Sequence, residues 1–479
     1  MSWPELLKLM QPVTEPDQLG IPQSLIIDTI FRILFNEGEV SVSRMAEIMG
    51  VHVRIVDVLL SHMKQEHLVE VSKAGSLGSL SFSYTLTEAG IKRARDSFDR
   101  SQFIGRLPVS LEAYNKAILL QTKQKRHISP HQVQAALSHL VLPEDFHRRV
   151  GPPLNAGTSL FLYGPPGNGK TTVAQVLADL LAEDDPIWLP DSVTVGGQVI
   201  RIFDPLVHEP LTEDEISMQL SMTGVLGDKE NGRGNGNSLG KSGKLRLDNR
   251  WRAFKRPAVM VGGELTMDAL DLRYEPIAKV YEAPLQMKAN GGMFLIDDFG
   301  RQQISPQSLL NRWIVPLESG IDFLRLQSGQ TLEVPFRQLI VFSTNLDPMD
   351  LVDGAFLRRI QMKVEVGGPT EKLYYEIFKK MCQSLRIGFD KNAFLYLLQK
   401  WYREPQRTMQ NVHPRDILKI IISISEYTDT EPALTIDMIN EACSSYFVDD
   451  LPMPTGTRER STSIPAFATN PTATGVIGN

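Results

Sequence analysis

The chain has 479 residues, a hydrophobic fraction of 42%, a charged fraction of 22% and a formal net charge of −6. This length exceeds one ordinary core, so we expect two to four domains. The composition is that of a soluble globular protein, and the net charge gives no overall indication of nucleic-acid binding. No apolar run approaches the length of a membrane span, and the N-terminus lacks a signal-peptide pattern. A cytoplasmic protein without a membrane partner is therefore expected.

Residues 23–100, after a lead of residues 1–22, have the pattern of a small separate domain. Periodicity predicts helices over Ser24–Phe35, Val42–Met49 and Val53–Gln65, then strands over Leu68–Val71 and Ser81–Leu86 joined by the turn Lys73–Gly78. This order resembles a winged helix-turn-helix domain, and so does the run Tyr84–Gly90. Such domains most often bind DNA. The presumed recognition helix has few basic residues, so DNA binding and a protein-docking or ring-organising role stay equal alternatives.

The remaining chain is predicted to hold a connector, an α/β domain, a helical domain and a tail. The connector, residues 101–157, contains a helix over Ser129–His139 and ends in a loop at Gly151–Asn155. Alternating strand and helix patterns in residues 158–368 predict a parallel sheet. Residues 369–448 are predicted to form four helices, namely Glu371–Leu385, Lys391–Tyr402, Pro414–Tyr427 and Ile436–Phe447. Cys382 and Cys443 lie in these helices, which favours buried free thiols. Residues 449–479 are predicted to be disordered.

A phosphate-binding motif opens the α/β domain. The apolar strand Ser159–Tyr163 leads into a glycine-rich turn, and a helix is predicted over Thr171–Leu181. The turn consists of Gly164, Pro165, Pro166, Gly167, Asn168, Gly169, Lys170, Thr171 and Thr172. Its backbone N–H groups and the helix dipole are suited to phosphate oxygens. ATP is the expected ligand, with Lys170 at the β- and γ-phosphates and Thr171 on Mg²⁺.

An acidic pair supplies the second half of this site. The buried-strand pattern Met293–Ile296 ends in Asp297 and Asp298. Asp297 is expected to hold Mg²⁺ directly or through water, and Asp298 to orient or deprotonate the attacking water. In ATPases with this kind of motif, the position of Asp298 is usually occupied by Glu. Asp is one methylene shorter, which leaves open slow hydrolysis or a different geometry.

With these motifs in order, residues 150–448 resemble the AAA+ ATPases. By that resemblance the strand Leu339–Phe342 carries sensor 1 at Asn345, and Arg415 in the run His413–Asp416 is the sensor-2 arginine. The arginine finger is Arg359 or Arg358, with Arg359 favoured because it precedes the apolar Ile360. The resemblance implies an α/β P-loop NTPase core with a parallel sheet, a C-terminal helical lid and the N-terminal winged-helix domain.

A β-hairpin is predicted between sensor 1 and the helix that follows the acidic pair, whose segment Met293–Asp298 corresponds to the Walker B motif. The helix is expected over Gln307–Glu318, and the hairpin is formed by Gly320–Leu326 and Thr331–Val334. The insertion resembles the clade that includes MoxR-type chaperones and enhancer-binding ATPases. The sigma-factor-contacting loop of the latter group, Gly-Ala-Phe-Thr-Gly-Ala, is absent from the sequence. The family implies a homo-oligomeric ring, expected to be a hexamer, that acts on a protein substrate.

A long basic insert precedes Walker B. About ninety residues separate it from the second strand, predicted at Val199–Phe203, and Gly224–Gly243 is expected to be mobile. Basic residues surround this stretch: Lys229, Arg233, Lys241, Lys244, Arg246, Arg250, Arg252, Lys255 and Arg256. Contact with an anionic partner or a ring pore, and a solvated surface loop, are nearly equal alternatives.

The sequence thus predicts an oligomeric AAA+ ATPase that hydrolyses ATP with Mg²⁺ to remodel a macromolecular partner. Two alternatives stay open. One is an ATP-switched winged-helix regulator with slow turnover that assembles on DNA, and the other is an ATP-dependent nucleic-acid motor.

Overall fold

A computed structural model of the chain describes residues 3–73, 82–123, 127–183, 185–222, 247–351 and 354–447. The chain divides into two units, the first made of residues 1–377 and 409–412 and the second of residues 378–408 and those from 413 onward. Three predicted segments lie wholly or mostly outside the described residues: the turn Lys73–Gly78, the stretch Gly224–Gly243 and the tail 449–479.

The N-terminal part of the first unit is helical with a small antiparallel sheet. Its elements are α1 (Trp3–Leu9), α2 (Gln23–Glu37), β1 (Val40–Ser41), α3 (Val42–Met49), α4 (Val53–Gln65), β2 (Val69–Lys73), β3 (Ser83–Leu86) and α5 (Glu88–Arg100). The three strands pair in the order β1-β3-β2. The Ser41 and Thr87 side chains cap α3 and α5 by accepting from backbone N–H groups. The predicted helices and strands are confirmed, whereas the winged-helix assignment stays a prediction.

The connector is more helical than its sequence predicts. It contains β4 (Val109–Ser110), α6 (Leu111–Thr122), α7 (Pro130–Ala136) and α8 (Phe146–Ala156). The loop predicted at Gly151–Asn155 is wrong, because these residues form the second half of α8. Phe146, Val150 and Leu154 recur every four residues on one face and are buried, and this apolar stripe outweighs the two donors lost at Pro152 and Pro153.

The rest of the first unit begins with the phosphate-loop strand. The elements are β5 (Ser159–Tyr163), α9 (Lys170–Ala182), β6 (Ile187–Pro190), β7 (Ser192–Val195), β8 (Gln198–Arg201), α10 (Glu213–Met222), β9 (Trp251–Phe254), β10 (Ala258–Val261), β11 (Arg273–Glu275), β12 (Val280–Glu282), α11 (Leu285–Lys288), β13 (Met293–Ile296), α12 (Pro306–Ser319), β14 (Ile321–Arg325), β15 (Thr331–Pro335), β16 (Leu339–Thr344), α13 (Pro348–Leu351), α14 (Gly354–Leu357) and β17 (Met362–Glu365).

Five of these strands form a parallel sheet in the order β10-β13-β16-β5-β17. Alternate residues enter different cores: Leu160 and Leu162 of β5 pack with α8 and α9, whereas Phe161 packs with Trp313 of α12. The three inner strands β13, β16 and β5 are buried on both faces, which explains their continuous apolar runs. The predicted α/β fold with a parallel sheet is confirmed.

One predicted strand belongs elsewhere. The run Val199–Phe203 was expected to be the second strand of the parallel sheet, but β8 lies in a separate five-stranded sheet of order β11-β12-β8-β7-β4. The neighbour of β13 is β10 instead. In β10 exposed residues alternate with buried ones, as is usual for an edge strand, so it lacks the continuous apolar run that identifies the inner strands.

The second sheet, the β6–β9 ladder and the β14–β15 hairpin share a core that we call the accessory body. Buried side chains of α6, including Tyr114 and Ile118, pack into it. Leu6 of α1 and Met10 just after it are also buried there, so part of the N-terminal lead belongs to this core.

Four residues of the basic insert lie in the accessory body and are engaged within it. Arg252 pairs with Asp191 and stacks on two phenylalanine rings, and Lys255 pairs with Glu209. Arg256 is buried and donates to the carbonyl oxygen of Gly291 over 2.7 Å. Contact with an anionic partner or pore is therefore not indicated for these residues. Lys229, Arg233, Lys241, Lys244 and Arg246 lie outside the described residues.

Arg250 joins the accessory body to the N-terminal lead and the connector. It is buried and forms a two-atom salt bridge with Asp248, with Nη2–Oδ2 at 2.7 Å and Nε–Oδ2 at 3.0 Å. Its Nη1 donates to the carbonyl oxygens of Leu19 and Pro108. One guanidinium therefore binds three segments that are distant in sequence.

The second unit is helical. It contains most of α15 (Glu371–Ser384), then α16 (Lys391–Leu397), which continues as a π-helical turn over Leu398–Arg403, α17 (His413–Tyr427) and α18 (Ile436–Tyr446). All four predicted helices are confirmed. Cys382 and Cys443 are buried free thiols, as predicted. No helix within the described ranges is long and apolar enough to cross a membrane.

We predict that Arg250→Met lowers the free energy of unfolding by about 3–5 kcal/mol, because it leaves the Asp248 carboxylate buried without its cation. Lys255→Met is the control, since its pair with Glu209 is solvent-exposed and contributes little. Urea unfolding followed by tryptophan fluorescence measures the free energy of unfolding of both variants. Equal unfolding midpoints for the two variants would contradict the assigned role of Arg250.

Candidate functional site

The glycine-rich loop between β5 and α9 is closely covered by backbone and side chains. A Cβ at Gly164 would lie 2.5 Å from the carbonyl oxygen of Val366, and one at Gly167 would lie 2.6 Å from Oε1 of Gln410. Both glycines also have positive φ angles, 135° and 75°. The loop therefore requires glycine at these positions for close approach as well as for backbone conformation.

Lys170, the first residue of α9, is held at the centre of the site. Its Nζ lies 2.8 Å from the carbonyl oxygen of Gly164, 2.9 Å from that of Pro165 and 2.6 Å from Oδ1 of Asn345. Burial lowers the pKa of Lys170, while the charges of Asp298 and Asp297 raise it in opposition. The ammonium group is thus held against the loop by uncharged oxygen acceptors, and a phosphate oxygen can replace these acceptors.

Asn345 links the lysine to the acidic pair. Its Oδ1 accepts from Lys170, and its Nδ2 donates to Oδ1 of Asp298 over 2.9 Å. Asn345 follows β16, and Asp298 follows the adjacent strand β13. The amide is therefore oriented by a cation on one side and an anion on the other, at the edge where these strands end.

Asp298 adopts a left-handed backbone conformation with φ of 49°. Asp tolerates this region better than most residues. Gln302 supports the turn by donating from Nε2 to the carbonyl oxygens of Asp297 and Asp298, at 2.8 and 3.1 Å. The turn brings the short Asp298 side chain within hydrogen-bonding distance of Asn345 without the extra methylene of Glu.

The predicted Mg²⁺ ligands lie together. Thr171 Oγ1 donates to Asp297 Oδ2 over 2.8 Å. No cluster of three or more His, Cys, Asp or Glu side chains suited to a metal occurs in the described part of the chain. One hydroxyl and one carboxylate fit Mg²⁺, which is typically held by few protein ligands together with phosphates and water.

A segment that the sequence analysis missed covers the loop. The backbone N–H of Asn411 donates to Oδ1 of Asn168 over 3.2 Å, and its Nδ2 donates to the carbonyl oxygen of Asn168 over 3.0 Å. The N–H of Val412 donates to the carbonyl oxygen of Gly167. This segment immediately precedes the predicted sensor-2 run. Its place in the sequence is the feature that could have indicated its contact with the loop.

A cavity of about 240 Å³ lies beside the loop and was also missed. Its walls are formed by the segment before α8, by the residues after β17 and by Asn411. Apolar and backbone groups predominate among the lining residues, which include Val141, Leu142, Phe146, Val366, Gly367 and Leu373. These residues come from three distant segments, so no local sequence pattern marks them.

The three predicted arginines are not brought to this loop within the first unit. The backbone of Arg359 lies at the amino end of β5, where its carbonyl oxygen accepts from Ser159 Oγ. The glycine-rich loop follows the carboxyl end of β5, about 13 Å along the strand. Arg359 Nε lies 2.6 Å from Glu318 Oε1, and Arg358 is exposed. Arg415 belongs to the second unit, where its Nε contacts Asp416.

Comparisons with known proteins give distant similarities. Residues 370–445 match the model of a family described as a domain of unknown function, DUF8689. NtrX from Brucella abortus in complex with ATP is similar with a TM-score of 0.35 and 11% identity, over 78% of this chain and 64% of that one. A RuvB mutant from Thermotoga maritima has a TM-score of 0.34 and 12% identity, over 71% of this chain and 73% of that one.

The match to NtrX thus spans less than two thirds of that protein's chain. Similarities at these scores say nothing about activity. The site itself consists of a glycine-rich loop after β5, a lysine at the start of the next helix, and an acidic pair after β13. In the sheet, β13 is separated from β5 by the single strand β16. The first unit therefore has an α/β core in which a parallel sheet carries a P-loop arrangement.

We predict that Lys170→Ala weakens ATP binding by at least about 100-fold, because the cation that faces the phosphates is lost. Lys363→Ala is the control, since Lys363 lies on β17 of the same sheet and donates to the carbonyl oxygen of Ile360. Calorimetric titration with ATP and Mg²⁺ measures the dissociation constants. Unchanged binding by Lys170→Ala would show that the loop is not the nucleotide site.

Proposed function

We propose that the protein is an AAA+ ATPase that assembles as a ring, expected to be a hexamer, and uses ATP hydrolysis to remodel a macromolecular partner. The observation that carries the proposal is the convergence of Lys170, Asn345 and Asp298 through contacts of 2.6 and 2.9 Å. Thr171 and Asp297 lie beside them. The side chains to which the proposal assigns phosphate binding, Mg²⁺ binding and water activation thus lie at one edge of the sheet.

In this proposal each side chain has one task. Lys170 binds the β- and γ-phosphates, and the backbone N–H groups of the loop bind the remaining oxygens. Thr171 and Asp297 would hold Mg²⁺, which neutralises charge on the phosphates when bound. Asp298 and Asn345 orient a water for attack on the γ-phosphorus. The bond to the bridging oxygen breaks, ADP and phosphate form, and Asp298 is the acceptor nearest to the departing proton.

The cavity beside the loop is proposed to receive the adenine base. It adjoins the loop through Val366, which contacts Gly164, and through Asn411, which binds Asn168. Its apolar lining and backbone groups suit a planar heterocycle with a polar edge.

The N-terminal domain is proposed to be a winged-helix module that docks a protein. Arg54 of α4 pairs with Glu15 at 2.9 Å, and His62 lies 3.8 Å from Glu66. These contacts reduce the positive charge that a phosphate backbone would require. The domain is also fixed to the accessory body, where Lys279 donates to the carbonyl oxygen of Asp99, and the Gln102 N–H donates to that of Ala278 over 2.9 Å.

The main test is ATPase turnover of the purified chain with and without duplex DNA, single-stranded DNA and candidate proteins. Stimulation by a protein supports remodelling, and stimulation by DNA favours the nucleic-acid motor. Slow turnover unaffected by either, with ATP-dependent assembly on DNA, favours the regulator.

We predict that Asp298→Asn binds ATP but hydrolyses it at least about 100-fold more slowly, because the amide cannot accept a proton from water. Asp297→Asn is the matched variant and should instead weaken Mg²⁺-dependent binding. Steady-state turnover and ATP titrations at several Mg²⁺ concentrations separate the two effects. Turnover of Asp298→Asn at the parent rate would place water activation elsewhere.

We predict that Arg359 acts on the ATP of a neighbouring subunit. To do so, its guanidinium leaves Glu318 of the same chain and binds the γ-phosphate of that ATP. Rings mixed from inactive Arg359→Ala and Lys170→Ala chains should recover activity at interfaces that combine an intact finger with an intact loop. Arg358→Ala is the control and should remain active on its own. A demonstrably mixed ring without recovery would argue against Arg359, and an inactive Arg358→Ala would assign the finger to Arg358.

A further inference from the structure

A short segment of the first unit lies directly on the glycine-rich loop. It consists of residues 409–412, which we call the strap. A Cβ at Gly167 would lie 2.8 Å from Cγ1 of Val412, and a Cβ at Gly368 would lie 2.8 Å from the carbonyl oxygen of Met409. The strap is therefore packed closely against both the loop and the residues that follow β17.

The strap donates hydrogen bonds to oxygen atoms of the loop. The N–H of Val412 donates to the carbonyl oxygen of Gly167 over 2.9 Å. Asn411 Nδ2 donates to the carbonyl oxygen of Asn168 over 3.0 Å, and the backbone N–H of Asn411 donates to Asn168 Oδ1 over 3.2 Å. In each case the strap supplies the donor and the loop supplies the acceptor, so these contacts use none of the N–H groups of the loop.

The consequence for the loop follows from the planar trans peptide bond. Its C=O and the N–H of the next residue point in opposite directions, and no cis bond occurs in the described part of the chain. Because the strap holds the carbonyl oxygens of Gly167 and Asn168, the N–H groups of Asn168 and Gly169 point away from the strap. Loops of this kind bind phosphate through successive N–H groups. The strap therefore orients two peptide groups as phosphate binding requires.

The side chain of Asn168 supports this orientation from within the loop, and the residue is buried. Its Oδ1 accepts from the strap, and its Nδ2 donates to the carbonyl oxygen of Pro165 over 3.3 Å. The same carbonyl oxygen accepts from Lys170 Nζ over 2.9 Å. The Asn168 amide thus connects the strap to the start of the loop, and it is the backbone of Asn168 that serves a ligand.

The strap acts by position and not by charge. Its sequence is Met409-Gln410-Asn411-Val412, which contains no charged residue. It therefore cannot attract a triphosphate as the ammonium group of Lys170 does. Donors that are already oriented lose less freedom when the ligand binds, so fixed N–H groups bind more tightly than mobile ones.

We propose that Asn411 is a positioning residue for the triphosphate and acts through the peptide groups that carry the N–H of Asn168 and of Gly169. The inference rests on the proposed function, because it concerns the same nucleotide site. These N–H groups bind phosphate oxygens whatever base the ligand carries. A ligand made of phosphates alone should therefore depend on Asn411 as strongly as ATP does.

Competition titrations of the full chain with Mg²⁺ test the proposal, with ATP and inorganic triphosphate each displacing a fluorescent ATP analogue. Asn411→Ala removes the Nδ2 donor, and Asn411→Leu removes it while keeping a similar volume. We expect each variant to weaken the binding of both probes by about tenfold. Asn155→Ala is the matched control and should leave binding unchanged, because the Asn155 amide bonds in the same way to the backbone of Ile128, at 2.7 and 2.9 Å.

Three results would overturn the proposal. Unchanged binding by both Asn411 variants would show that the strap does not orient the loop. Weaker binding of ATP alone would place the effect in the adjoining cavity, which Asn411 also lines. Failure of inorganic triphosphate to bind the parent chain would show that the loop is not oriented for phosphate in the absence of a base.

A double variant separates positioning from a general loss of stability. Asn168→Ala and Asn411→Ala remove parts of one hydrogen-bonded unit, so their effects should not add. We expect the double variant to bind inorganic triphosphate about as weakly as the weaker single variant. Effects that multiply would show that the two amides act independently, and they would overturn the role of Asn411 through Asn168.

These measurements do not involve hydrolysis, so their outcome is distinct from that of the ATPase tests. A parent chain that binds both probes without hydrolysing ATP would contradict the proposed ATPase and leave the role of Asn411 standing. Asn411 variants that bind like an active parent chain would contradict the role of Asn411 and leave the ATPase standing.

Discussion

The parallel pairing of β5, β16 and β13 is the constraint on which the candidate site depends. In a parallel ladder all carboxyl ends meet at one edge, so the residues that follow the three strands become neighbours. Lys170, Asn345 and Asp298 are distant in sequence but lie within hydrogen-bonding distance because of this edge. A register shift of one residue in β16 would turn Phe342 from its core and move Asn345 away from both partners.

The accessory body shows how a parallel α/β core can carry large insertions without losing its sheet. The chain leaves the core after α9 to form β6 to β9, returns at β10, and leaves it again for β11 and β12 and for the β14–β15 hairpin. Arg250 binds the insertion to the N-terminal lead and the connector through carbonyl oxygens as well as through Asp248. The result is a first unit in which the N-terminal domain, the accessory body and the core are continuous, so a load applied to the N-terminal domain reaches the core through packed structure.

Much of the fold follows from local patterns in the sequence. Four features have the expected bounds because each is set by the periodicity of apolar residues or by turn residues. They are the glycine-rich loop, the strand before Asp297, the β14–β15 hairpin and the C-terminal helices. The sequence could not separate two kinds of strand. The run Val199–Phe203 is largely apolar but its strand, β8, belongs to the accessory sheet, whereas β10 is in the core but has exposed residues at alternate positions. Which sheet a strand joins is decided by pairing over long sequence separations, and no local pattern records it.

The same limit applies to the site. Lys170 and Asp297 stand in motifs, but Asn411, Gln302 and the cavity beside the loop depend on tertiary contacts. Charge was a misleading guide in the insert: Arg250 and Arg256 suggested an anionic partner by composition, yet their partners are Asp248 and a backbone carbonyl. A basic run in a sequence does not distinguish a surface that binds anions from cations that stabilise the interior.

The composition of the accessory core has a consequence for how the chain folds during synthesis. The N-terminal domain has a core drawn from residues between Leu19 and Leu107, so it can fold soon after it leaves the ribosome. The accessory core joins Leu6 and Met10 to Leu332 and Val334, and these contacts cannot form until Val334 has been made. Closing so long a loop is slow. Helix α1 can pack against α6 early, but the apolar surface that both helices share with the hairpin stays uncovered until Val334 has been made, and it is open to aggregation until that point.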